Sequence, residues 1–188
     1  MATVSVSPQE FHFVRFDAAR IEAVVTDVAQ RVGLPDTAVL QVEIDESTPL
    51  GRARVTALDP ITLSVEGGAF ENPKRPRELS ERATAEVVAR LLFRVRDRLD
   101  PAFGEPPADA DLSLQQATAW DTYCVGRAAR IGIEVFKPRR IYHFRSRHGF
   151  SDVADAAFER LWSADGLTWA DIEAVCAETA AEREAASA

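Results

Sequence analysis

Apolar residues recur along this chain with two periods, and the change between them organises it. From Asp17 to Gly33, Ile21, Val24, Val25, Val28 and Val32 fall three or four apart. That spacing predicts an amphipathic helix with Asp17 as its N-cap and Gly33-Leu34-Pro35 as its stop. Before it, Val4 with Val6 and Phe11 with Phe13 share faces, which predicts one or two short strands around Pro8. After it the period falls to two: Leu40, Val42, Ile44; Ala53, Val55, Ala57; Ile61, Leu63, Val65. These are three half-buried strands, and the short connections at 46–51 and Asp59-Pro60 predict antiparallel neighbours. The polar run from Asn72 to Arg77 is expected to be a loop. Ser80 is then placed to cap a long helix reaching Leu99, with Val87, Val88, Leu91, Leu92, Val95 and Leu99 along the arc that faces the sheet.

The second half reads as helical. Pro101 and the segment 105–112 look like a linker. Ala117, Trp120, Cys124, Ala128 and Ile131 then mark one face of a helix running from Leu114 to about Ile131. Ser151 caps another helix carrying Val153, Ala157 and Leu161. Thr168-Trp169-Ala170-Asp171 resembles a capping box for a last helix, and the tail from Glu182 to Ala188 is expected to fray. The expected architecture is α+β: a small, mostly antiparallel sheet on two helices over residues 1–104, the linker 105–112, and a helical subdomain 113–188 docked on the first.

Composition narrows the function classes. The 188 residues are 46% hydrophobic, enough for one sizeable core, and the formal net charge of −8 argues against general attraction to nucleic acid or anionic membrane. The first residues lack the charged start and apolar core of a secretory leader, and no stretch approaches the ~20 apolar residues of a membrane span. A cytoplasmic protein is therefore expected. The abundance of Arg, Ala and Asp suggests a bacterial genome rich in G and C. Cys124 and Cys176 are read as reduced, partly buried thiols.

No phosphate loop, dinucleotide fingerprint or paired-cysteine zinc pattern occurs, so no cofactor is expected. His12, His143 and His148 do not share a ligating spacing. The run His148-Gly149-Phe150-Ser151-Asp152 sets a serine beside a histidine and an aspartate, but without the Gly-x-Ser-x-Gly elbow Ser151 reads as a helix cap. One charge pattern stands out. From Arg127 to His148, Arg127, Arg130, Lys137, Arg139, Arg140, Arg145 and Arg147 face Glu134 alone, so the block carries +6 and the remainder of the −8 chain −14. Ile141, Tyr142 and Phe144 are interleaved. Lys137, Arg139, Arg140, Tyr142, Arg145 and Arg147 are thus candidate partner- or anion-binding residues. The overall charge favours contact with acidic protein surface, in this molecule or a second copy, over nucleic acid.

The long helix opens Ala85-Glu86-Val87-Val88-Ala89. With the preceding helix, the strands and Ile61-Thr62-Leu63-Ser64-Val65, residues 17–99 resemble the small zincin-like metallopeptidase domains of bacteria. In that family two histidines one turn apart bind zinc and the glutamate between them is the general base. Carried over by position, the histidines fall on Ala85 and Ala89 and the base on Glu86, the one catalytic candidate. The resemblance implies a zincin-like fold that lacks its metal site. The expected role is non-catalytic, through a protein partner or self-association. A metal-dependent peptidase or other hydrolase with unusual ligands is one alternative, and nucleic-acid binding through residues 127–148 the other. The two alanines also leave room for a neighbouring element to approach closely.

Overall fold

The computed structural model describes residues 1–187. The chain divides into two compact units, Met1–Arg96 and Asp97–Ala188. Together they give the α+β class expected. Among the described residues no helix is long and apolar enough to cross a membrane.

The first unit is built from β1 (Thr3–Ser7), α1 (Ala18–Val32), β2 (Val39–Asp45), β3 (Ala53–Leu58), β4 (Ile61–Glu66), the small strands β5 (Glu71–Asn72) and β6 (Arg75–Leu79), and α2 (Glu81–Leu99), whose last turn crosses the boundary. Both predicted caps form. Asp17 Oδ1 accepts from Arg20 N at 3.1 Å, and Gly33 ends α1 in the left-handed conformation at φ 79°. Ser80 Oγ accepts from Ala83 N at 3.2 Å at the start of α2. Ile21, Val25, Val28, Leu40, Val42, Leu63 and Val65 lie buried in the core of this unit.

The sheet is mixed, which corrects the mostly antiparallel expectation. Its order is β1-β2-β4-β3, with β1–β2 and β2–β4 parallel and only β3–β4 antiparallel. The strands 39–66 therefore do not run as a meander: β4 inserts between β2 and β3. Burial explains the choice. Along β4, Ile61, Thr62, Leu63 and Val65 are all buried, as a central strand requires, whereas β3 exposes Arg54 and Thr56 and carries a register shift between Val55 and Ala57 that suits an edge. The connection leaving β2 then passes over the end of β4. A Cβ at Gly68 would lie 1.9 Å from Pro49 O, so only glycine admits that crossing.

One expectation is sharpened and another corrected here. Of the one or two strands expected around Pro8, β1 forms, and Phe11 and Phe13 lie in no strand; the backbone N–H groups of His12, Phe13 and Val14 donate to Glu46 Oε2 just beyond β2, and Arg15 makes a parallel bridge with Glu78. The polar run 72–77 is not an irregular loop but most of the β5–β6 ribbon, and Pro76 is tolerated there because a two-stranded ribbon leaves outward edges with no ladder bond to lose.

Helices α1 and α2 run side by side in the same direction. Arg20 Nε donates to Glu81 Oε1 at 3.0 Å near their starts, and Arg96 Nη1 donates to Val32 O at 2.7 Å near their ends. From Val88 to Val95, α2 is buried around its whole circumference, Arg90 and Arg94 included.

The second unit holds α3 (Leu114–Arg130), α4 (Lys137–His148), α5 (Asp152–Ser163) and α6 (Trp169–Ser187), with α3 packed on the other three. Ser113 and Gln116 form a capping box at α3, Ser151 Oγ accepts from Ala154 N at α5, and Thr168 and Asp171 bond reciprocally at α6 as predicted. Helix α6 continues through the tail expected to fray, as far as Ser187; Ala188 lies outside the described residues. Gly126 sets the approach of α3 to α5, since a Cβ there would sit 2.1 Å from Trp162 O. Phe103 stacks on Trp120 with centroids 5.4 Å apart, and Trp169 packs on the same indole at 5.3 Å, tilted by 57°.

Residues 105–112 are held by buried polar bonds within this unit. Arg98 Nη2 donates to Pro107 O and to Asp109 Oδ1, the latter at 2.7 Å, and Arg98 lies over the Trp120 ring.

Candidate functional site

Four groups were legible in the sequence as candidates, and the structure treats them differently. On α2, Ala85 lines a shallow groove of about 380 Å³ with Arg20, Ala23, Val24, Asp27 and Glu81. Ala89, one turn on, is wholly buried, and Glu86 is half-buried between them. Alanine offers no ligand atom, and one of the two positions faces packed interior, so the residues present do not fit a zinc ion. Among the described residues no group of three or more His, Cys, Asp or Glu side chains is placed to hold a metal.

The histidine–serine run also resolves into structure. Ser151 is the cap of α5, and His148 is buried, stacked on Phe144 at 4.0 Å. Its Nδ1 lies 2.8 Å from Thr179 Oγ1 and its Nε2 3.1 Å from Gln115 O. The neutral ring satisfies both when Nε2–H donates to the carbonyl and the threonine hydroxyl donates to Nδ1. Burial pushes the His148 pKa down to about 4; the bond to Gln115 O opposes that shift and Arg183 adds to it. Neither cysteine is poised for chemistry. Cys124 is buried, and burial, with Glu173 nearby, raises the Cys176 thiol to about 11.

The basic block is different. Its first two arginines are structural. Arg127 Nη1 and Nη2 donate to Asp97 Oδ1 and Oδ2 at 2.7 and 2.6 Å, Trp120 Nε1 donates to Asp97 Oδ2 at 2.7 Å, and the guanidinium lies 3.8 Å from the Tyr123 ring centre. Arg130 donates to Trp162 O and Ala164 O, satisfying carbonyls at the end of α5. The remaining candidates lie on α4, whose 12 residues include Pro138 in the first turn, where its missing N–H costs no helix bond.

At about 100° per residue, α4 sorts its side chains into two faces. The inner face carries the buried Phe144 and His148, with Ile141, Lys137 and Arg145 beside them. Lys137 Nζ donates to Glu159 Oε2 at 2.8 Å, and Arg145 makes a two-pronged pair with Asp155 at 2.7 and 2.6 Å. The hydrogen bond from Arg145 holds the Asp155 carboxyl below the usual carboxylate range. Two of the six sequence candidates, Lys137 and Arg145, are thereby engaged with α5.

The outer face gathers the other four. Arg139 and Arg147 are exposed, Arg140 is half-exposed at the margin, and Tyr142 is 63% exposed. The structure adds three residues that type alone did not pick out: His143 midway between Arg139 and Arg147, Ser146 beside Tyr142, and Phe150, 70% exposed and edge-on to Tyr142 at 6.3 Å. The signal that would have found the first is the i, i+4, i+8 row Arg139–His143–Arg147, and Ser146 follows one turn after Tyr142. Both relations stay invisible until the segment is read as a helix. No acidic residue occurs anywhere in α4.

Such a face has cationic and neutral donors and aromatic rings at one margin. It is suited to holding an anionic surface. No family model matches the chain, and no curated protein or solved structure matches it either.

Proposed function

We propose that this chain is a non-catalytic binding protein that engages an anionic macromolecule through the outer face of α4. The observation that supports this reading is the sorting of the basic block. Lys137 and Arg145 are turned inward onto Glu159 and Asp155, while Arg139 and Arg147 lie exposed on the outer arc of a helix that carries no acidic residue. The inner pairs also fix the orientation of α4, so the helix itself needs no reordering to present its donors.

The overall charge of −8 does not oppose this. At physiological ionic strength, fields decay over about 8 Å, so a ligand seated on α4 responds chiefly to that helix. On this reading the zincin resemblance carries no activity, because positions 85 and 89 supply no metal ligands.

Chromatography on heparin at low salt tests the proposal. The intact chain is expected to be retained despite its acidic composition, and Arg139→Glu with Arg147→Glu is expected to elute at markedly lower salt with an unchanged circular dichroism spectrum. Passage of the unmodified chain through the column without retention would sink it.

A further inference from the structure

The anionic partner can be specified further, and doing so rests on the reading of α4 as a polyanion-binding face. Helices that dock into protein grooves anchor themselves by aliphatic or aromatic side chains at i, i+3 or i+4, and i+7. The outer face of α4 has no such stripe. Arg139, His143 and Arg147 form one row, Tyr142 and Ser146 the next, and each of these side chains ends in a hydrogen-bonding group. Tyr142 supplies the row's one aromatic ring, at its margin against Phe150. A surface composed of donors, with no aliphatic anchor and no carboxylate, is made to read acceptors.

Duplex DNA presents acceptors in that arrangement. Its major groove is about 12 Å wide and admits an α-helix about 10–12 Å across, with guanine O6 and N7 offering a two-pronged target for arginine and phosphates lining both rims. The row from Arg139 to Arg147 spans roughly 12 Å of helix axis at 1.5 Å per residue, a length that covers several base pairs.

The mounting also fits. Helix α4 follows α3 through a six-residue connection, 131–136, that turns at Gly132 with φ 81°, and α3 packs behind it. His148 and the pairs to Glu159 and Asp155 pin its inner face to α3, α5 and α6. Duplex RNA is a poorer match, because its deep, narrow major groove excludes a helix.

We infer that α4 is a DNA-contacting helix whose outer face seats in the major groove, with Arg139 and Arg147 meeting bases or phosphates and His143 between them. The ligand is duplex DNA.

Fluorescence anisotropy of a labelled random-sequence duplex, titrated with the full chain at 50 and 200 mM salt, tests this. Non-specific binding of DNA-reading proteins lies at about 10⁻⁶–10⁻⁴ M and weakens steeply with salt. The same behaviour is expected here, with at least a tenfold loss for Arg139→Glu combined with Arg147→Glu. Arg54→Glu, exposed on β3 in the other unit, is expected to leave binding unchanged. Duplex RNA and poly-glutamate serve as competitors and are expected to displace the DNA weakly. If poly-glutamate or duplex RNA binds more tightly than DNA, the DNA assignment is overturned while the anionic-partner reading stands. If heparin retains the chain and DNA does not bind at 50 mM salt, the outcome is the same. If no polyanion binds, both fall. Equal loss from Arg54→Glu would show a bulk charge effect and overturn the role of α4.

Discussion

Helices α2 and α4 are both rich in arginine, and they use it in opposite ways. From Val88 to Val95 α2 is buried on every side and takes Arg90 and Arg94 into the interior, and in its last turn Asp97 receives a two-pronged bond from Arg127. Helix α4 buries one face, pairs Lys137 and Arg145 beside it with α5, and turns Arg139 and Arg147 to solvent. Residue type is therefore a poor guide to role in this molecule, and the face on which a residue lies is a good one. The stretch most suggestive of chemistry, Ala85 to Ala89, belongs to a helix that is largely interior. The segment without any enzyme motif is the one that presents a coherent surface.

If that contrast is right, changes in α2 should cost stability, and changes on the outer face of α4 should cost binding alone. The largest effect is expected at Asp97. Its replacement by alanine strands the guanidinium of Arg127 and the indole N–H of Trp120 in a buried site, and a loss of about 3–5 kcal/mol is expected in chemical denaturation. A loss below about 1 kcal/mol would show that the network is dispensable.

The inner face of α4 should behave like α2, and His148 offers a way to see it. Its folded pKa of about 4 lies below the value near 6.5 of an unfolded histidine, so between these limits the unfolded chain binds a proton that the folded chain refuses. Stability from this group is complete above pH ~6.5 and is lost as pH falls toward 4, by at most about 3 kcal/mol. Denaturation at a series of pH values should show a decline in the unmodified chain between pH 7 and 5 that is absent from His148→Gln. Parallel curves for the two would remove the histidine from the account. Ala89→Leu is a smaller test of α2. The added isopropyl group must find room in a wholly buried position, and about 1–3 kcal/mol of destabilisation is expected from thermal melts. An unchanged melting temperature would mean that the wall of α2 yields there.

Much of this architecture was readable from local signals. Asp17, Gly33, Ser80, Ser151 and Thr168 all act as caps or stops because their chemistry works within a few residues of chain. Strand order was not readable in that way: β3 and β4 show the same alternation, and what sets β4 in the middle is a crossing that depends on Gly68 lying against Pro49, far away in sequence. Helix α4 was missed as an element because its inner face is part aromatic, part histidine, and part the aliphatic stems of Lys137 and Arg145, which leave a weak apolar period. The ingredients of the candidate site were visible as a charge excess. Their division into an engaged and a presented set required the helix.

The insertion of β4 between β2 and β3 also bears on how the sheet assembles. Val55 opposite Leu63 closes a short loop, whereas Leu40 opposite Ile61 and Thr3 opposite Val39 close much longer ones, at an entropy cost that grows with loop length. The β3–β4 hairpin is therefore expected to form as the local nucleus, with β2 and then β1 added to its free side. Until they arrive, one edge of the most buried strand in the unit stands open. Aggregation during refolding should accordingly be most sensitive to substitutions that slow the docking of β2.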